Sequence, residues 1–172
     1  VRRVLIIAVT IALVAGLGYT AYTRLYLPST RPILNGAPLV LPGKLEKLSA
    51  DPLGSQPEPD QQRFAAVLHD AAASIEPGFR VDAEELYVRT AGGYDSVALR
   101  KMASSYLDQF GFVQSVSAEA DVGGHAVDYL VWRPDWLHSV VDDRIVLAVM
   151  FGDQLSTGTP AMVFGYFVLR PR

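Results

Sequence analysis

The chain has 172 residues, no cysteine, and a formal charge of −3 from 15 Lys/Arg and 18 Asp/Glu. That length holds one domain plus accessory segments, and the missing cysteine excludes disulfides, thiolate nucleophiles, Cys-ligated zinc and a lipid-modified cysteine anchor. The charge is unevenly divided: residues 1–59 carry six Lys/Arg against three Asp/Glu, and residues 60–172 carry nine against fifteen. An acidic domain repels phosphate backbones, so no nucleic-acid partner is expected.

Residues Val4 to Thr23 form a stretch of 20 without a charge, directly after Arg2 and Arg3. As a helix it would span roughly 30 Å, the thickness of a hydrocarbon core. A cleaved leader would need a shorter apolar run and small residues before the cut. Gly16 and Gly18 could serve for cleavage before Tyr19, but no A-x-A pattern is present. The expectation is therefore a transmembrane anchor over residues 1–27, with a short cytoplasmic tail and the bilayer solvating residues 4–23. Tyr19, Tyr22 and Tyr26 fall where an aromatic belt would meet the outer interface. Arg2 and Arg3 favour a cytoplasmic N-terminus, which leaves the main domain in the periplasm or outside the cell. Ala8, Ala12, Gly16 and Thr20 recur every four residues, a stripe of small side chains along which two membrane helices can pack.

Residues 28–59 hold seven of the eleven prolines, which rules out a long helix or a central strand there and suggests a Pro-rich tether. Ile33, Leu34, Leu39, Val40, Leu41, Leu45 and Leu48 make this tether greasier than a solvated spacer. Part of it is expected to lie against the domain or a partner protein.

Residues 60–172 read as an α+β domain lying outside the cytoplasm. Asp60 is placed as an N-cap, followed by Phe64, Val67, Leu68, Ala71 and Ile75 at helical spacing and a stop at Pro77–Gly78. "EELYVRT" at 84–90 reads as a strand. A second helix runs from about Asp95 to Phe110, with Gly111 in the left-handed position that ends it. Gly123–Gly124 form a two-residue hairpin turn. Counting outward, Val122 faces His125, Ala120 faces Val127, Ala118 faces Tyr129 and Val116 faces Val131, all on one apolar face. The opposite face is mixed and carries Leu130 and Trp132. Pro134–Asp135 opens a short helical turn with Trp136, Leu137, Val140 and Val141 expected on its buried side. "RIVLAVMFG" at 144–152 and "AMVFGYFVLR" at 161–170 are strands apolar on both faces, hence central. Their sum is a curved antiparallel sheet of about five strands with two helices packed on one face.

Chemistry-bearing residues are sparse. His138 has Asp135 three residues before it and Asp142 four after, a spacing that could put both carboxylates against the imidazole. That arrangement would suit a general base or half a metal site, but no nucleophile and no full ligand set accompanies it. No phosphate loop, nucleophile elbow or zinc-helix motif is present, and no cofactor or metal is called for. Trp and Arg are enriched at binding hot spots, so Leu130, Trp132, Arg133 and Trp136 form the candidate docking surface for a protein or a glycan ring if that face is open, whereas both tryptophans belong to the core if the short helix of Trp136 folds back over it. The resulting expectation is a membrane-anchored extracytoplasmic domain that binds a protein partner, as an accessory or assembly subunit of a membrane or envelope complex. The alternative is an anchored enzyme or small-ligand or glycan binder with a sheet-lined cavity near His138 or Trp132.

Overall fold

The two strands that are apolar on both faces form the middle of one antiparallel sheet. The computed structural model describes residues 2–34, 51–90 and 96–172, with side chains within 2–9 and at 25, 96, 98 and 99 outside the description. The elements are helix α1 (Arg2–Ala21), a π-helical turn (Tyr22–Tyr26), α2 (Leu27–Thr30), β1 (Asp51–Pro52), α3 (Glu58–Ile75), β2 (Phe79–Arg89), α4 (Ser96–Leu107), β3 (Phe112–Val122), β4 (His125–Pro134), β5 (Ile145–Gln154) and β6 (Pro160–Pro171). The sheet has six strands in the order β1-β2-β6-β5-β4-β3, every pair antiparallel. It exceeds the expected five by β1, a two-residue strand at the edge, and β2 starts at Phe79 rather than Glu84.

The β3–β4 hairpin follows the turn chemistry. Gly123 and Gly124 both have positive φ, 61° and 84°, the combination a tight two-residue hairpin turn demands. Val122 pairs with His125, Ala120 with Val127, Ala118 with Tyr129 and Val116 with Val131, as counted from the turn. Beyond Val116 the register shifts, so that Gln114 rather than Ser115 pairs with Trp132. Such a bulge adds a residue to the outer strand and bends it.

The helices do not share a face of the sheet. Phe64 and Leu68 of α3 pack with Val127, Val131, Leu147, Val149, Val163 and Phe167. Ala103 and Leu107 of α4 pack with Leu130, Trp132, Val146, Ala148, Phe164 and Val168. These are alternating residues of the same strands, so α3 and α4 cover opposite faces. That corrects the one-face expectation, and the physical reason lies in β5 and β6. A strand apolar on both sides exposes its second face to water unless something covers it.

Helix α3 also begins earlier than expected. Pro57 precedes its first residue and makes no side-chain cap, while Asp60 sits inside the first turn. Its carboxylate reaches instead to the β5–β6 loop. It accepts hydrogen bonds from the Ser156 backbone N–H (2.9 Å) and the Ser156 hydroxyl (2.8 Å). Burial raises the Asp60 carboxyl, but the bonds from Ser156 and the Arg63 guanidinium outweigh that and hold it below its usual range.

Among the described residues no helix is long and apolar enough to cross a membrane. Side chains of α1 are described from Thr10 onward, and every one from Thr10 to Tyr22 is exposed. Of the tether, Ile33 is buried in the α4 side of the core. Leu39, Val40, Leu41, Leu45 and Leu48 lie outside the described residues, as do Gly92, Gly93 and Asp95.

Candidate functional site

The groups singled out around His138 meet at the junction where the N-terminal helix enters the domain. The sequence of that helix explains the junction. Pro28 has no N–H, so it cannot donate to the Arg24 carbonyl four residues earlier, and its ring crowds that carbonyl. The helix answers with a π-helical turn over Tyr22–Tyr26, in which the Leu27 N–H donates to the Tyr22 carbonyl five residues back. The Arg24 carbonyl, deprived of its i+4 donor, faces His138, with Nε2 at 3.0 Å.

The other ring nitrogen, Nδ1, lies 2.8 Å from Asp135 Oδ1. A carbonyl and a carboxylate are both acceptors. A neutral ring can donate to only one of them, and the doubly protonated ring donates to both. The same Asp135 oxygen accepts from the backbone N–H of His138 (2.8 Å) and of Leu137 (2.9 Å). Burial raises the Asp135 carboxyl, but the His138 backbone and ring bonds outweigh it and hold the group below its usual range. Gly111 closes the back of the ring. Its φ is +77°, and a Cβ there would stand 2.2 Å from the His138 Cγ. Only glycine fits that position on both grounds.

Asp142 does not join His138. Its carboxylate grips Arg144 twice, at 2.8 Å to Nε and 2.6 Å to Nη2, and both residues are buried. The remaining guanidinium donors go to the helix end: Nη1 to the Arg31 carbonyl at 2.9 Å and Nη2 to the Pro28 carbonyl at 3.3 Å. The last carbonyls of a helix lack intrahelical partners, and a cation there also meets the negative end of the helix dipole. Ile33 then enters the core, and its carbonyl accepts from the Tyr106 hydroxyl of α4 at 2.8 Å. Burial, followed by the charge of Glu85, raises the Tyr106 phenol, so it stays a donor. Arg24, Pro28, Arg31 and Ile33 are thus each held by a backbone carbonyl. We call this assembly the helix clamp.

The clamp uses His138 and Asp142 in ways that leave neither open for acid–base work. Both ring nitrogens of His138 already have partners, and Asp142 is committed to Arg144. Among the described residues no group of three or more His, Asp or Glu side chains could hold a metal ion. A concavity lies elsewhere, a pocket of about 280 Å³ between α4 and the hairpin. Arg100, Ser117, Glu119, Asp128, Tyr129 and Met150 line it, and Arg100 donates to the Ser117 hydroxyl at 2.8 Å.

The expected docking surface is divided by α4. Trp132 is fully buried and its indole N–H donates to the Ser104 hydroxyl of α4 at 3.0 Å, so it offers no surface to a partner. Leu130 is buried beside it. Arg133 pairs with Glu76 at the end of α3. Trp136 is 83% exposed and Val140 79%, with Leu137 and Val141 also exposed, which reverses the expectation that this turn buries them. Asp135, bonded at the start of the loop, turns the backbone so that these side chains face outward. Of the small-residue stripe, Ala12, Gly16 and Thr20 are exposed, and the Thr20 hydroxyl donates to the Gly16 carbonyl at 2.8 Å. The side chain of Ala8 lies outside the described residues. His69 bonds Glu84 at 2.7 Å, and His125 rests against the Phe151 ring; both serve local contacts.

Gly111 has the left-handed backbone expected of it, but sequence reasoning missed its contact with His138, along with Arg144 and the carbonyl acceptors of Pro28 and Arg31. One signal for Arg144 was available. Asp142 and Arg144 abut a strand apolar on both faces, where a charge survives only if paired.

Compared with protein-family models, curated proteins and solved structures, the chain matches none.

Proposed function

We propose that this chain is a single-pass membrane protein whose acidic α+β domain is held at the outer face of the bilayer as an accessory or assembly subunit for a protein partner. The helix clamp is the observation that carries this reading. It fixes one end of α1 to the domain through four backbone carbonyls, while the side chains from Thr10 to Tyr22 remain exposed. An apolar surface of that extent on a water-soluble chain would be costly, and lipid is the environment that removes the cost. The span itself rests on the sequence, since the side chains described in α1 begin at Thr10: as a helix the uncharged run Val4–Thr23 would cover roughly 30 Å, and Arg2 and Arg3 favour the cytoplasm for the N-terminal side, with the domain in the periplasm or outside the cell.

Partner binding falls to the surfaces the core leaves open. Strand β3 has 11 residues and, among the described residues, is an edge strand that pairs on one side only, with β4. A partner strand could add to it, although the bulge at Ser115 and the charges of Glu119 and Asp121 discourage indiscriminate pairing. Arg133 and Trp136 remain within reach of a partner, whereas Leu130 and Trp132 do not. The alternative of a small-ligand binder draws on the pocket beside Arg100, and it has no support from His138, which lies at the clamp.

The test is purification of the full chain in a mild detergent from its native membrane, with identification of co-purifying proteins. A stoichiometric companion is expected, and substitutions along the outer edge of β3 should release it without lowering thermal stability. A monomer without a companion, or a chain recovered from the aqueous fraction, overturns the reading.

A further inference from the structure

The two most exposed large apolar side chains among the described residues are Trp136 and Val140, on one short loop with Leu137 and Val141. Leu137 and Val141 are about two-fifths exposed, and the loop gathers all four side chains in one place, whereas the other exposed aliphatics of the domain, Val81, Val97 and Val113, lie on three different elements. The position of the loop supplies the reason. His138, in the middle of this loop, touches the Arg24 carbonyl, one residue past the end of the uncharged run Val4–Thr23. The helix rises about 1.5 Å per residue, so the clamp holds the loop at the level where a spanning helix leaves hydrocarbon. Tyr22 and Tyr26 lie at that same level, half exposed, with rings stacked 5.6 Å apart. Tryptophan, tyrosine and short aliphatic clusters favour this boundary, where an apolar body meets lipid and a polar tip meets water. Exposed Arg24 and Arg31 flank the level and suit lipid phosphates. Asp135 of the loop is occupied by His138, and Asp143 is exposed at its far end.

We infer that the loop Trp136–Val141 is a second membrane contact, dipping into the headgroup region beside the anchor and laying the domain against the bilayer. The inference rests on the anchored reading above and adds to it a fixed attitude of the domain. The occupant is the lipid surface itself, because the His138–Arg24 hydrogen bond holds the patch beside the end of the exposed apolar helix.

The chain contains two tryptophans, one buried and one on the loop, which makes a direct test available. The full chain is reconstituted into phosphatidylcholine–phosphatidylglycerol vesicles carrying bromine at successive acyl positions. Trp136→Phe, which alters no core contact, leaves Trp132 as the only emitter. The wild type should lose the Trp136 share of its fluorescence, most strongly with bromine nearest the headgroup, while Trp136→Phe loses little at any depth. If the chain floats with the vesicles but both proteins are quenched equally, the loop contact is overturned and the anchor stands. If the chain remains in the aqueous fraction, both fall together.

Discussion

At the scale of single residues, Arg144 carries the most consequence. It is buried, it is charged, and among the described residues its one carboxylate partner is two residues away. Removing one member of such a pair leaves an uncompensated buried charge. Arg144→Ala and Asp142→Ala are therefore each expected to cost about 3–5 kcal/mol, read as a fall in the denaturant midpoint. Replacing both with apolar residues should recover much of that, because the desolvation of the charges disappears with them. The double variant would still leave the Pro28 and Arg31 carbonyls without a donor, so the domain should be folded and the helix loose. Limited proteolysis near residues 24–34 separates these two outcomes. Asp60 gives a second residue-scale prediction. Its carboxyl is lower in the folded state than in the unfolded chain, so its contribution is full above the ordinary carboxylate range. The contribution is lost as pH falls through the depressed folded value. Asp60→Asn should flatten that acid limb, measured as denaturant midpoints across the acidic range, while leaving the neutral-pH slope unchanged.

At the scale of elements, the two faces of the sheet divide the work between α3 and α4. Trp132 stands under α4 with no exposure, so Trp132→Ala is expected to cost about 3–5 kcal/mol in cavity and lost packing. Equilibrium unfolding measures it, and a variant as stable as the wild type would contradict its place in the core. The hairpin shows how far the sequence could be read. Gly123–Gly124 set a turn of known geometry, and alternation carried the register outward correctly as far as Val116. It failed at Ser115, because a bulge depends on what packs beyond the pair and leaves no local trace. The side of the sheet taken by α4 was equally hidden. Helical spacing says which stripe of a helix is buried, not which sheet face buries it. A partial clue lay in the mixed face of β4, where apolar Trp132 and Leu130 give way to Asp128. The change marks where the cover of α4 ends and the pocket beside Arg100 begins. The clamp was not legible for a different reason. Arg144 meets carbonyls 113 and 116 residues earlier in the chain, and a carbonyl carries no residue identity to search for. His138 and Asp135 were correctly paired from their spacing, yet what occupies the second ring nitrogen came from that same distant helix.

At the scale of the whole molecule, a single antiparallel sheet, closed on both sides by helices, is joined to a protruding apolar rod. The polar part of the joint is made of main-chain oxygens on the rod side, and the buried Ile33 side chain supplies the apolar part. Donors that recognise only the peptide bond are indifferent to which side chain hangs from it, so the exposed Thr30 is free to vary without loosening these hydrogen bonds. Proline at position 28 has no such freedom. It turns an oxygen outward by withholding a hydrogen, and any other amino acid would hand that hydrogen back and draw the oxygen inward again.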